Sequence, residues 1–174
     1  MTCIAAGLIG EGAFPVRAVA FDKTPETNWS VAWHQDRTIA VESRVETEGF
    51  GPWSTKDGQL HVAPPVEVLQ GMATLRLHID DCDDGNAPLK AALGTHRLGM
   101  VPADKAAEVA AAHLLQVCHA EAGDVWAYAT LILHASERSR SAGRRRVLQV
   151  DYAAVPLPGE LKWVGLTRFT PGGR

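Results

Sequence analysis

The chain has 174 residues, a formal net charge of −3 and 46% hydrophobic residues. That is enough for a single domain over 1–174 with a sizeable core, and it excludes wholesale disorder. The mild acidity gives no global reason to bind nucleic acid or an anionic membrane, and no apolar run is long enough to span a bilayer.

The first residues, MTCIAAGLIGEGAF, lack a basic n-region and are not read as a signal peptide. Residues 13–21 (AFPVRAVAF) predict a strand that ends at a turn over 22–27. Residues 28–34 (NWSVAWH) are aromatic and β-branched and predict a second strand, extended by 38–41. Between 49 and 68 the glycines and prolines predict a long loop with Trp53 inside it, and a loop of that length in a compact domain is usually functional. Residues 72–79 (MATLRLHI) alternate and run into a turn, DDCDDGN. The one clear helix covers about 102–112 (PADKAAEVAAA), with proline at its start, acids early and many alanines. Strands follow over 114–119 and 125–134, joined by EAGD read as a hairpin turn, and a last strand runs over 144–153. Cys3, Cys82 and Cys118 are odd in number and widely spaced, so reduced thiols in a cytoplasmic protein are expected rather than a disulfide framework. Many short strands and one helix predict a mainly β sandwich or barrel.

The chemistry concentrates in Trp33-His34-Gln35-Asp36. On an extended strand residues i and i+2 project to one side, so His34 and Asp36 present an imidazole and a carboxylate together. One further histidine completes two nitrogens and one hard oxygen, the facial set of non-haem iron(II) oxygenases, with positions left open for co-substrate and oxygen. His-x-Asp is a weak signal alone, and His78-Ile79-Asp80 repeats it. His78 falls on the more polar face of its strand, beside an acidic turn, and is expected at the surface. His34, among Trp29, Val31 and Trp33, is expected to be shielded. A third ligand should close a late strand, where His134 stands. Arginines 144–146 on the following strand can pair with a carboxylate in a two-pronged way, which suits a dicarboxylate co-substrate.

Residues 28–36 (NWSVAWHQD), 75–89 (LRLHIDDCDDGNAPL), 94–99 (GTHRLG) and 123–146 (GDVWAYATLILHASERSRSAGRRR) resemble the phytanoyl-CoA dioxygenase family, over about 13–152. The resemblance implies a double-stranded β-helix (jelly roll, cupin-like) core with one or few helices. It implies iron(II) held by His34, Asp36 and His134, with 2-oxoglutarate and O2 as co-substrates for hydroxylating a small molecule. Arg145 matches the family's co-substrate arginine, eleven residues after His134, and Ser136 matches a serine that also touches 2-oxoglutarate. Trp53 lies near a family tryptophan, and Gln35 is placed near the co-substrate as well. The family's N-terminal region is expected to be missing, which would expose apolar sheet surface and favour a homo-oligomer through Trp29, Trp33 and the AAGLIG segment. Two other readings stand beside this one: a catalytically silent jelly roll with a binding or assembly role, and a cupin-like metal protein independent of 2-oxoglutarate. Charge runs and remaining histidines (His61, His96, His113, His119) take surface or packing roles by default.

Overall fold

A computed structural model describes residues 1–141 and 143–166, and the backbone of 169–172. Among the described residues the helices are short: α1 (Thr2–Ile9), α2 (Val66–Gln70) and α3 (Ala106–Ala111). The strands are β1 (Phe14–Lys23), β2 (Val31–His34), β3 (Ile39–Ala40), β4 (Trp53–Lys56), β5 (Gln59–Val62), β6 (Met72–His78), β7 (Leu89–Ala92), β8 (Leu115–Cys118), β9 (Val125–Ala129), β10 (His134–Ser136), β11 (Arg145–Ala153) and β12 (Phe169–Gly172). No helix is long and apolar enough to cross a membrane.

One sheet runs β12-β1-β11-β6-β9 and a second runs β2-β10-β7-β8. The chain crosses repeatedly between the two, with β7 and β8 a hairpin within the second, and each of β1, β6 and β9 pairs with a strand distant in sequence. This is the jelly-roll arrangement of a double-stranded β-helix. A small third sheet, β3-β5-β4, lies outside these two.

The strand alternation divides inside from outside. On β6, Ala73 and Leu75 face Ala5 of α1, with Val150 and Tyr152 of β11 in the same cluster. The apolar N-terminal segment and helix α1 therefore cover the outer face of the large sheet. Trp33 packs on the cluster formed by α3, Val101 and Leu133. Of the three elements expected to meet a partner copy, Trp33 and part of the AAGLIG segment pack on the chain itself, Trp29 lines a cavity, and Leu8 is exposed. A larger apolar cluster of Val16, Ile39, Val41, Val62, Leu69, Met72 and Leu131 closes one end of the barrel.

Four expectations change. Residues 38–41 do not extend β2, since β3 belongs to the small third sheet. The 49–68 loop is a β4–β5 hairpin followed by α2. Its turn is Asp57-Gly58, with φ of 48° and 73°, the backbone that a tight hairpin of right-handed twist requires. The 125–134 strand is two strands, β9 in one sheet and β10 in the other, because residues 130–133 turn the chain between them. For the same reason EAGD does not close a hairpin: β8 and β9 belong to different sheets.

Candidate metal centre

β2 and β10 are antiparallel neighbours, and His34 and His134 are directly opposed in their register. Their rings lie 4.2 Å apart. Asp36 follows β2 by two residues and turns its carboxylate to the same side, 3.9 Å from His34 Nε2. One donor atom from each of His34, Asp36 and His134 falls within 4.8 Å of the others. A single ion touching all three is thereby geometrically accessible.

Both imidazoles are oriented by the backbone two residues before them. His34 Nδ1 bonds the Ala32 carbonyl at 2.8 Å and His134 Nδ1 bonds the Ile132 carbonyl at 3.0 Å. A carbonyl only accepts, so each Nδ1 carries the proton and each Nε2 keeps its lone pair for a metal. Burial holds His134 below its ordinary pKa. Burial opposes the charge of Asp36, but His134 and His34, with Arg17 and Lys56, outweigh it and keep the carboxyl below its ordinary value. Two imidazole Nε2 atoms and a carboxylate gathered on one side of a cavity fit a divalent metal with open positions.

These three side chains line a cavity of about 520 Å³. Arg145 and Ser136 are buried and line it too. Arg144 and Arg146 point outward instead, paired with Asp22 and Asp80. The strand alternation that separates Arg145 from its two neighbours is therefore realised.

Gln35 and Trp53 lie elsewhere. The Gln35 amide donates to the Gly99 and Leu131 carbonyls at 2.9 and 2.8 Å and accepts from Val101 N–H at 2.9 Å. It alternates away from its neighbours and ties the loop before α3 to the site's far side. Trp53 packs on the apolar end cluster, with the Arg44 guanidinium over its ring. The hairpin instead sends Lys56 and Asp57 into the cavity.

The two His-x-Asp motifs also exchange their expected surroundings. His78 is 2% exposed, whereas the His34 side chain is 37% exposed. The polar face of β6 is the barrel interior: Arg76 lines the cavity and Thr74 donates to Asp151. Asp80 is spent on Arg146, so the second motif offers no ligand pair. Arg17, Arg76 and Gln149 complete the cavity wall and were not singled out in the sequence. The signal that could have found Arg76 was the polar stripe Thr74-Arg76-His78.

The sequence model of the phytanoyl-CoA dioxygenase (PhyH) family matches residues 13–147, which contain His34, Asp36, His134, Ser136 and Arg145. The chain belongs to the phytanoyl-CoA dioxygenase family. No curated protein sequence matches this family member. Solved structures with the same fold include AviO1 from Streptomyces viridochromogenes Tue57, with 21% identity and a TM-score of 0.60 over 99% of this chain and 59% of that one. EctD from S. alaskensis in its apoform gives 16% identity and 0.65 over 97% and 54%. SnoK, described as a non-heme alpha-ketoglutarate-dependent carbocyclase from nogalamycin biosynthesis, gives 15% and 0.51 over 76% and 46%. The phytanoyl-CoA dioxygenase-family chain thus spans about half the length of these proteins.

Proposed function

We propose that the chain is an iron(II)- and 2-oxoglutarate-dependent oxygenase that hydroxylates a small molecule. The observation that carries this reading is the His34–Asp36–His134 set at one wall of a cavity that also presents buried Arg145 and Ser136. The family match and the co-substrate named for SnoK support it. Iron(II) and 2-oxoglutarate, when bound, would supply the oxygen activation, yielding succinate and carbon dioxide.

The chain's own residues have positioning tasks. His34 and His134, locked by Ala32 and Ile132, would hold the metal on Nε2. Asp36 would supply the hard anionic donor. Arg145 would take the co-substrate's far carboxylate through its planar fork, with the Ser136 hydroxyl as an added donor. Hairpin β4–β5 adds Lys56 and Asp57 to the cavity wall, and Trp29 and Phe21 give it apolar surface.

The test is succinate formation from 2-oxoglutarate by the iron-loaded protein in air. Turnover above a His134→Ala control supports the reading. Metal binding without any succinate, across a panel of small-molecule substrates, would instead favour a silent jelly roll with a binding role.

A further inference from the structure

Lys23 closes β1 directly opposite Arg145 on β11. Opposed residues in an antiparallel pair share a face, and like charges there repel. Lys23 is 1% exposed and Arg145 3%, and a third cation, Arg76 of β6, is also buried. Among the described residues, none of the three is ion-paired with a carboxylate. Lys23 Nζ donates to the Glu137 carbonyl at 2.8 Å and Arg76 Nη1 donates to Gln149 Oε1 at 2.7 Å. Arg145 Nη1 donates to the Ala87 carbonyl. The Nε atoms of Arg76 and Arg145 are buried without a partner. Aromatic faces cover the rest, with Trp29 5.1 Å from Lys23 and Phe21 5.0 Å from Arg76.

Buried charge of one sign is costly unless a counter-charge arrives. The assigned co-substrate contact accounts for Arg145 and leaves Lys23 unexplained. Lys23 bonds the carbonyl of the residue after Ser136, so it stands immediately behind the Arg145–Ser136 wall. We propose that Lys23 is a second cation of the subsite for the co-substrate's far carboxylate, a positioning residue whose ammonium supplies field there and makes the pocket select a dianion. This rests on the co-substrate reading of the cavity.

A consequence separates this role from mere packing. Burial, then Arg145 and Arg76, hold Lys23 down to about 8, with Cys82 acting weakly the other way. These groups, with the Glu137 carbonyl and the Trp29 ring, are what faces the ammonium. A carboxylate bound nearby favours the charged form, so binding above that value takes up a proton. Affinity for 2-oxoglutarate should therefore fall as pH rises from about 8 to 9.5, by up to roughly tenfold per unit.

The experiment titrates 2-oxoglutarate into the full chain loaded with iron(II) without oxygen, for wild type, Lys23→Met and Lys23→Arg, from about pH 7 to 9.5. Lys23→Met should weaken 2-oxoglutarate by about tenfold or more at pH 7, leave metal affinity unchanged, raise the melting temperature of the co-substrate-free protein and flatten the pH profile. Lys23→Arg should keep most of the affinity. Wild-type affinity and pH profile in Lys23→Met would overturn the proposal. Should that variant not fold, a flat wild-type profile over the same range overturns it equally. If wild type binds metal but no 2-oxoglutarate at all, the co-substrate reading itself falls and takes this proposal with it; normal wild-type binding with an indifferent Lys23 sinks the proposal alone.

Discussion

His34 and His78 open identical His-x-Asp motifs and meet opposite fates, because the neighbours of each carboxylate differ. Asp36 faces two imidazoles, while Asp80 accepts three bonds from Arg146. His34→Ala or His134→Ala should therefore abolish tight iron(II) binding, since two ligands hold a labile divalent ion poorly, and His78→Ala should leave the metal stoichiometry intact. Metal analysis of the purified variants reads this directly; loss of metal on His78→Ala with retention on His34→Ala would mean that the other motif is the site. Arg145→Gln should weaken 2-oxoglutarate by roughly ten- to a hundred-fold, the value of about 1.5–3 kcal/mol for a charge-assisted hydrogen bond, while iron binding persists. The residue types and their i, i+2 spacing were legible in the sequence. Their burial was not: a polar strand face normally means solvent, and here it means the inside of a barrel. Gln35 was misplaced for a simpler reason. It alternates away from the residues that flank it, and its amide is consumed by Gly99, Leu131 and Val101.

At the scale of elements, the β4–β5 hairpin shows what composition conceals. Glycines and prolines over 49–68 read as loop, yet Asp57-Gly58 sits between short alternating runs and has the left-handed backbone of a tight turn. Gly58→Ala should destabilise the protein by about 1 kcal/mol, because a Cβ is strained at that φ although nothing crowds it. A denaturant melt checks this, and an unchanged midpoint would show that the turn tolerates a side chain. Lys56 and Asp57 reach the cavity only because the hairpin folds over it. The division of 125–134 into β9 and β10 was equally hidden. The apolar run is continuous, and only the demand that the chain change sheets places the break before His134. That break sets His134 opposite His34.

At the scale of the molecule, buried charges gather in one cavity between apolar clusters that make up the rest of the interior. Stability should carry this signature. Burial, with Arg17 and Lys56, holds His61 down to about 4, and burial, with Arg76 and Arg145, does the same to His78. Unfolding restores the ordinary value of 6.5, so between these values the unfolded chain binds more protons. Stability is full above about pH 6.5 and falls toward pH 4, by up to about 1.4 kcal/mol per unit for each ring. Urea midpoints across that range would show it, and the slope should shrink in His78→Leu if that variant packs as well. The measurement that bears most directly on the central claim is optical. When 2-oxoglutarate chelates iron(II) held by His34, Asp36 and His134, a weak visible charge-transfer band should appear under anaerobic conditions in wild type, and should require higher 2-oxoglutarate in Arg145→Gln. A protein that binds iron(II) stoichiometrically yet develops no band at millimolar 2-oxoglutarate would contradict the oxygenase reading.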